Sequence, residues 1–341
     1  MNHNDVPQNA DELDEWLSRP TDGVRETLAG LDGDIMVLGA AGKMGPTLAR
    51  MARRALPNAR RVYAVSRFSS AATQETLNRH GVDTIRCDLL DRNAVAQLPD
   101  AGNVIFMAGQ KFGTADRPDL TWMMNAVVPA IAAERYRNSR IVVFSTGCVY
   151  PLVDVSSSGA TEELPLNPPG EYAASCVARE RVFSYFSREF GTRVLLFRLN
   201  YAIDLRYGVL HDVARKVWTG TPVDVSMGHV NLIWQGDANA RALQCLSHVS
   251  SPAAVLNVTG PERLSVRELA LRFGELLGRD PVIVGNETST AWLSSAARSC
   301  ELFGEPTVSL DRMMTAVAEW LKHGGASLNK PTHFESRNGS F

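Results

Sequence analysis

The chain has 341 residues, of which 45% are hydrophobic, and its 35 basic and 37 acidic side chains leave a formal net charge of −2 at pH 7. This length can bury a large core and predicts about two domains, or one large domain with a lobe. The balanced charge offers no electrostatic footprint for nucleic acid or a membrane surface, and no apolar run approaches the ~20 residues of a membrane-spanning helix.

The five cysteines stand far apart, without a Cys-x-x-Cys pair or a His/Cys cluster of zinc spacing, so no metal site is expected. The N-terminus shows no basic region followed by an apolar run, so no signal peptide is expected. Both features favour a reduced, cytoplasmic location. Only five of the basic residues are lysines, so each lysine near a site is informative: Lys43, Lys111, Lys216, Lys322 and Lys330.

Residues 1–32 predict an N-terminal helical arm. Acidic residues open a short helix over residues 11–17, and Thr21 is a candidate N-cap for a second helix. The apolar residues Trp16, Leu17 and Leu28 are expected to pack on the main domain, with a dimer contact as the alternative.

A glycine-rich turn follows the first predicted strand, residues 35–38, whose four apolar residues indicate burial on both faces of a parallel sheet. Gly39, Gly42 and Gly45 come next, and a helical pattern begins at Leu48. Between a strand and a helix, such a turn lets a pyrophosphate approach bare backbone and the helix N-terminus. The sequence therefore predicts a dinucleotide site here.

The spacing Gly-x-x-Gly-x-x-Gly resembles that of the short-chain dehydrogenase/reductase superfamily, and later motifs narrow the resemblance to its extended, nucleotide-sugar epimerase-like branch over residues 34–304. The resemblance implies an α/β fold, a Rossmann-type doubly wound parallel sheet with a smaller C-terminal substrate lobe. We expect the dinucleotide-binding domain at residues 33–200, with 230–262 returning to it. Residues 201–229 and 263–341 are expected to form the substrate lobe and tail.

Lys43 and Met44 within the turn are expected near the cofactor, where Lys43 contacts a phosphate or is solvated. The second predicted strand, residues 62–67, ends in Ser66 and Arg67, where the family carries an acidic residue that binds the adenosine ribose. An arginine pairs with a 2′-phosphate that a carboxylate would repel. NADP(H) is therefore expected in preference to NAD(H), unless Arg67 stacks on the adenine or faces solvent.

The third and fourth predicted strands end in further cofactor candidates. Asp88 and Leu89 resemble the family's adenine-contacting pair, with a helix cap as the alternative for the aspartate. Ala108 and Gly109 resemble the family's stretch beside the cofactor. Lys111 follows at the carboxyl edge of the predicted sheet, where open α/β sheets bind ligands.

Two polar residues in the next elements match the family's catalytic positions. A predicted helix over residues 119–137 carries Asn125, which matches the asparagine that organises a proton-relay water; a buried structural asparagine is the alternative. The fifth strand ends in a Val-Tyr pair, and counting back from Tyr150 places the catalytic hydroxyl at Thr146, with Ser145 beside it.

The helix that begins near residue 171 carries the family's Tyr-x-x-x-Lys motif in altered form. Positions i and i+4 share one helix face, so both groups meet the nicotinamide ribose. In the family the lysine lowers the tyrosine pKa from about 10, so that the tyrosine exchanges a proton near neutral pH. Here Tyr172 is followed by Cys176, which supplies no positive charge. Lys111 is a speculative replacement for that charge.

The remainder resembles the substrate lobe. Asn200 and Tyr201 match the segment that runs past the nicotinamide, and helices are expected at residues 266–277 and 310–322. The tail, residues 330–341, is expected to be either frayed or an interface strap.

Two functions follow from these residues. The first is NAD(P)-dependent oxidoreductase or epimerase chemistry at a secondary alcohol or ketone of a sugar or sugar-acid-like substrate. Thr146 would bind the substrate oxygen and Tyr172 would pass the proton. The alternative is a catalytically impaired NADP(H)-binding sensor or scaffold protein. In either case a homodimer is expected, because helices near residues 119–137 and 171–190 resemble the family's dimer bundle.

Overall fold

A seven-stranded parallel sheet forms the centre of the protein, in the order β12-β7-β5-β4-β1-β2-β3. The computed structural model describes residues 6–111, 116–330 and 332–339, so the outer ends of the expected arm and tail lie outside the described residues. The strands in chain order are β1 (Ile35–Leu38), β2 (Val62–Ser66), β3 (Asp83–Arg86), β4 (Asn103–Phe106), β5 (Arg140–Thr146), β6 (Val153–Asp154), β7 (Arg193–Leu199), β8 (Ala202–Ile203), β9 (Val223–Asp224), β10 (His229–Val230), β11 (Ile233–Trp234), β12 (Ala254–Val258), β13 (Leu264–Ser265), β14 (Ile283–Val284) and β15 (Thr290–Ala291).

Helices cover both faces of this sheet and build the lobe beside it. They are α1 (Ala10–Leu17), α2 (Asp22–Ala29), α3 (Gly45–Ala55), α4 (Ala71–Arg79), α5 (Arg92–Ala96), α6 (Pro118–Trp122), α7 (Val128–Arg135), α8 (Gly170–Phe190), α9 (Val209–Thr219), α10 (Gln235–Gln244), α11 (Val266–Leu277), α12 (Ala297–Phe303) and α13 (Leu310–Lys322).

Strand β1 is central because both of its faces are apolar. Ile35 and Val37 join the core on one face of the sheet, whereas Met36 and Leu38 join the core on the other face. All four residues are fully buried, and β1 pairs in parallel with both β2 and β4. The chain crosses to a new edge of the sheet after β3, which places the carboxyl end of β1 at the switch point where open α/β sheets bind ligands.

The predicted helix over residues 119–137 contains an irregular turn. Helices α6 and α7 are joined by a π-helical turn, Met123–Val127, and Pro129 falls in the first turn of α7. The missing N–H of a proline is tolerated there because the wide turn has already interrupted the regular bonding. This π turn positions Asn125, which is fully buried.

The N-terminal arm packs only partly where the sequence predicts: Leu28 joins the core of the sheet domain, whereas Leu17 and Trp16 join the core of the lobe. Thr21 caps α2 by accepting a hydrogen bond from the Val24 amide. Leu17 and Leu28 are fully buried, and the indole of Trp16 lies 4.4 Å from that of Trp234 between ring centroids. The arm therefore joins the sheet domain to the lobe.

The lobe is built from α9, α11 and α13 with four short strand pairs, and the tail packs against it. Phe334 is fully buried in the lobe core, and the Thr332 hydroxyl donates to Asp212 at 2.6 Å. Trp292 donates from its indole nitrogen to the Ser336 carbonyl at 3.1 Å. The expectation of a frayed tail is thus wrong for residues 332–339, which together with Lys330 form a strap across their own lobe.

Candidate functional site

Two cavities meet at the carboxyl edge of the sheet. One of about 760 Å³ runs along the ends of β2 and β3, and one of about 380 Å³ lies between the sheet and the lobe. Both are lined by Gly42, Met107 and Gly109, so they form one groove that passes over the glycine turn. We refer to them below as the adenosine-side cavity and the substrate-side cavity.

The glycine turn leaves no space for side chains on its inner side. Gly39 has φ +87°, and a Cβ there would lie 2.6 Å from the Cα of Ala108. A Cβ on Gly45 would collide with the carbonyl of Ala40. Gly42 faces the groove instead, where a Cβ would meet only the Gly39 carbonyl at 3.3 Å.

Helix α3 begins directly after this turn, with Met44 as its N-cap and no side-chain capping bond among the described residues. Its first N–H groups are therefore available to an anion in the groove. The bare backbone, the helix N-terminus and the long cavity together fit a dinucleotide.

The adenosine-side cavity gathers the residues predicted to hold the adenosine half. Its lining includes Gly39, Ser66, Arg67, Asp88, Leu89 and Ala108. The alternative role of Asp88 as a helix cap is wrong: α5 is capped by Asp91, whose carboxylate accepts from the Asn93 and Ala94 amides. Arg86, at the end of β3, also lines the cavity and was not predicted, because a strand-end arginine carries no local signal.

The substrate-side cavity brings together the predicted hydroxyl groups. Thr146, Tyr172, Asn200, Tyr201 and Lys111 all line it. Tyr201 has φ +46°, an uncommon conformation for a non-glycine residue, and its hydroxyl has no hydrogen-bond partner among the described residues. Strained backbone and an unsatisfied polar group are both concentrated at ligand sites.

Tyr172 and Cys176 occupy one face of α8, but only Tyr172 reaches the cavity. Cys176 is fully buried behind it in a small apolar cluster with Val149 and Tyr150. The Tyr172 hydroxyl donates a hydrogen bond to the Cys176 sulfur. Burial, and secondly the neighbouring thiols, raise the pKa of Tyr172 well above its ordinary value. The expectation that residue 176 also faces the cavity is wrong, since its side chain packs in this cluster and does not line the cavity.

Arg179 is the buried charge that the sequence did not single out. It lies one turn beyond Cys176 and lines the substrate-side cavity, where its guanidinium donates to the Phe144 carbonyl at 2.8 Å and to Asn125 Oδ1 at 2.6 Å. Its charge opposes the rise in the pKa of Tyr172 and Cys176. The i, i+7 spacing from Tyr172 is the signal that could have identified it.

Asn125 has no remaining hydrogen-bonding capacity in its side chain. Its Oδ1 accepts from the Gln110 amide and Arg179, and its Nδ2 donates to the Gln110 carbonyl and Ser175 Oγ. An asparagine amide makes about four such bonds at most. The side chain therefore serves as the buried structural asparagine of the alternative interpretation, and Asn125 lines neither of the two cavities.

Lys43 extends from the glycine turn into the substrate-side cavity. Its ammonium lies 3.5 Å from the centre of the Tyr207 ring and donates to the Ala202 carbonyl at 3.3 Å. Burial and this lobe contact contradict the expectation of a solvated side chain. The contact with a cofactor phosphate stays a prediction, because Lys43 lines the cavity beside Gly42 and Met44. Burial lowers the pKa of Lys43 to about 7; Asp204 opposes the shift and Lys111 adds to it.

A buried polar network holds the strands behind Thr146. Ser145 donates to Glu180 at 2.6 Å, and Glu180 forms a salt bridge with Arg198 at 2.7 Å. Arg198 also donates to the Tyr150 hydroxyl, which donates in turn to Asn257 at 2.9 Å. This network joins α8 to β5, β7 and β12, and so fixes the helix that carries Tyr172.

Two residues of the tail contribute to the substrate-side cavity and were not predicted to do so. Lys330 and Thr332 of the strap line the substrate-side cavity, a contact across the lobe that no local sequence pattern indicates.

Within residues 6–111, 116–330 and 332–339, the helices are all too short or too polar to cross a membrane, and no group of three or more His, Cys, Asp or Glu side chains could hold a metal ion.

Comparison with known proteins agrees with this geometry. Residues 35–204 match the model of the NAD dependent epimerase/dehydratase family. No curated protein matches the chain significantly in sequence.

Three solved structures that resemble the chain each match 85% of it over 99% of their own length. UDP-glucose 4-epimerase of Thermus thermophilus, in complex with NAD, has a TM-score of 0.70 at 21% identity and is 99% covered. UDP-glucose 4-epimerase of Thermotoga maritima, with UDP-glucose, has a TM-score of 0.72 at 18% identity and is 99% covered. UDP-glucuronic acid 4-epimerase of Bacillus cereus, with UDP-glucuronic acid and NAD, has a TM-score of 0.71 at 17% identity and is 99% covered. At these identities the likeness shows the fold.

Proposed function

Because this chain belongs to the extended short-chain dehydrogenase/reductase superfamily, we propose that it is an NAD(P)-dependent oxidoreductase or epimerase-type enzyme. Its substrate is a secondary alcohol or ketone of a sugar or sugar-acid-like molecule. The observation that carries the proposal is the continuous groove, which joins the glycine turn to a cavity lined by Thr146 and Tyr172. A nicotinamide cofactor bound there would supply the hydride acceptor or donor.

Thr146 and Tyr172 act on the substrate oxygen. Thr146 Oγ1 accepts from the Cys148 amide at 3.2 Å, which orients the hydroxyl so that its own proton is available to the substrate. Tyr172 exchanges the proton, and Asn200 and Tyr201 border the site. Cys176 supplies no positive charge. The cation that takes the role of the family's lysine in this proposal is Arg179, which lies on the same helix face and lines the same cavity.

NADP(H) is the preferred cofactor in this proposal. Arg67 and Arg86 both line the adenosine-side cavity, and both are exposed and so able to pair with a 2′-phosphate. The similar epimerases from Thermus thermophilus and Bacillus cereus are complexes with NAD, which makes NAD(H) the competing assignment.

The competing function is a sensor or scaffold that binds the cofactor without turning over a substrate. It is supported by the same observation that weakens the usual chemistry, namely a Tyr172 hydroxyl bonded to a buried thiol. Under this alternative Tyr172 contributes only to packing.

A homodimer is the proposed assembly. Four large apolar side chains on α6, α8 and the π turn between α6 and α7 are exposed by 39–56%: Trp122, Met123, Tyr185 and Phe190. Trp122 and Met123 lie by the start of α8 and Tyr185 and Phe190 near its end. The family forms its dimer with the corresponding helices. A monomeric mass in light scattering would contradict this assembly.

The enzyme and the sensor are separated by a turnover assay. Purified protein is mixed with NADP⁺ or NADPH and a panel of polyols, sugar acids and their keto forms, and the absorbance of the reduced cofactor is followed. The proposal expects turnover that Tyr172→Phe abolishes and that Tyr185→Phe, an exposed tyrosine on the same helix, leaves unchanged. Cofactor binding without turnover of any compound would favour the sensor.

A further inference from the structure

The substrate-side cavity is lined by basic side chains and contains most of the chain's few lysines. Three of the chain's five lysines line this one cavity, Lys43, Lys111 and Lys330, together with Arg179. Among the residues that the structure describes, no aspartate or glutamate lines it. In a protein with more acidic than basic residues overall, such a one-sided lining is not a consequence of composition.

The acidic residues that stand behind this lining are bound to other groups. Asp204 accepts from the backbone and guanidinium of Arg206 at 2.6 and 3.1 Å. Asp212 accepts from the Thr332 amide and hydroxyl at 2.8 and 2.6 Å. They reduce the excess of positive charge in the cavity without entering it.

Lys111 repels Lys43 in this arrangement. Lys111 is among the charges that lower the pKa of Lys43, and burial lowers the pKa of Lys111 as well. Gathering like charges in a partly dry cavity is unfavourable unless an anion is bound between them. The Tyr201 hydroxyl, which lacks a partner among the described residues, offers a further donor in the same cavity.

These lysines do not belong to the adenosine half of the groove. None of the three lines the adenosine-side cavity, and Lys43 points to Tyr207 and Ala202 at the entrance to the lobe. Lys330 belongs to the strap, which is fixed to the lobe through Thr332. The part of the groove that they line extends from the glycine turn to the lobe, where the substrate is expected to bind.

We propose that the substrate is a small, free carboxylic acid of the polyol or sugar class, whose carboxylate binds among Lys43, Lys111 and Lys330. This inference rests on the proposed function and names the substrate class of the same site. A free acid is favoured over a nucleotide-linked sugar by size. The cavity of about 380 Å³ must also admit the nicotinamide end of the cofactor, and ligand pockets span ~300–1,000 Å³.

Calorimetric titration of the full chain, saturated with NADP⁺, tests the proposal. The probes are matched pairs of equal carbon skeleton, gluconate with glucitol and glucuronate with glucose, as well as UDP-glucuronate and inorganic sulfate. At least one acid should bind about tenfold or more tightly than its neutral partner, the effect of a charged hydrogen bond. Failure of both acids to bind at millimolar concentration, equal binding of the neutral partner, or tighter binding of UDP-glucuronate would each overturn the proposal.

Substitutions locate the carboxylate. Lys111→Met and Lys330→Met keep the apolar stem of the side chain and should each reduce the preference for the acid about tenfold. The matched control is Lys322→Met on α13, where Lys322 pairs with Glu319 at the surface. A loss of NADP⁺ affinity with an unchanged preference for the acid would overturn the proposal, because the lysines would then serve the cofactor.

The same titrations keep this inference distinct from the proposed function. Acid binding without hydride transfer in the absorbance assay would uphold the substrate class and remove the enzymatic role. Turnover of neutral polyols at rates equal to those of their acids would uphold the enzymatic role and remove the proposed substrate class.

Discussion

The hydroxyl of Tyr172 donates a hydrogen bond to the buried thiol of Cys176, the residue that the sequence resemblance places at the family's lysine position. A lysine at this position would stabilise the ionised tyrosine, whereas an accepted hydrogen bond stabilises the protonated one. The site keeps its threonine and tyrosine but reverses the effect of residue 176 on the tyrosine pKa. The positive charge that acts on Tyr172 comes instead from Arg179 on the same helix.

Gly42 of the glycine turn is predicted to be essential for binding the cofactor but not for folding. A Cβ at Gly42 meets only the Gly39 carbonyl at 3.3 Å, so Gly42→Leu should fold but fill the groove that both cavities share. Thermal denaturation should show that NADPH no longer stabilises this variant. Gly30→Leu, at the exposed end of α2, is the control that keeps the stabilisation. A normal response of Gly42→Leu would place the nucleotide elsewhere.

The cofactor preference is predicted to depend on Arg67. If Arg67 pairs with the 2′-phosphate, NADPH should bind more tightly than NADH, and Arg67→Ala should narrow the difference about tenfold or more. Fluorescence titration measures both dissociation constants. Arg61→Ala is a suitable control, because Arg61 lies just before β2, at the opposite edge of the sheet, and pairs loosely with Asp83 at 3.8 Å. Equal affinities in the unmodified protein would rule out the NADP(H) assignment.

Binding of a sugar acid is predicted to weaken as the pH rises above about 7. Burial lowers the pKa of Lys43 to about 7, so its side chain is an ammonium below this pH and neutral above it. Four neighbouring charges also act on the pKa of Lys43, namely those of Lys111, Arg206, Asp204 and Asp212. None of them is expected to reverse this dependence on pH. Lys43→Arg, which stays charged, should flatten the dependence in titrations with gluconate. A dependence that is unchanged in Lys43→Arg would show that another group controls it.

The polar network behind the site is predicted to hold the fold together. Arg198 and Glu180 are both buried, so Arg198→Met leaves an unpaired carboxylate and should cost about 3–5 kcal/mol in the free energy of unfolding. Denaturant titration measures this loss. The exposed pair of Arg298 and Glu163 is the control, and Arg298→Met should change stability little. A small effect at Arg198 would mean that the network tolerates an uncompensated charge.

Local pattern was sufficient for much of the fold. The strand and turn from Ile35 to Gly45 lie where predicted, and α11 and α13 have the predicted limits because Ser265 and Ser309 cap them. These features depend on neighbours within a few residues.

The site was only partly predictable because its other half depends on long-range contacts. Lys330 reaches the cavity only because the strap crosses the lobe, and Lys43 turns toward Tyr207, which lies far along the chain. Asn125 was predicted in the right helix, but its hydrogen bonds to Arg179 and Ser175 depend on the packing of that helix against α8. Side-chain direction in such places follows from packing rather than from periodicity.

The pH dependence of turnover tests the central claim most directly, namely that Tyr172 transfers the proton without help from a lysine. Alcohol oxidation requires the ionised tyrosine, and burial raises the pKa of Tyr172 well above its ordinary value. The rate should therefore rise with pH without a plateau below about 10, the ordinary phenol value. Cys176→Lys should move the rise to lower pH, and Tyr172→Phe should remove activity. Activity that survives Tyr172→Phe with the same pH profile would contradict the account.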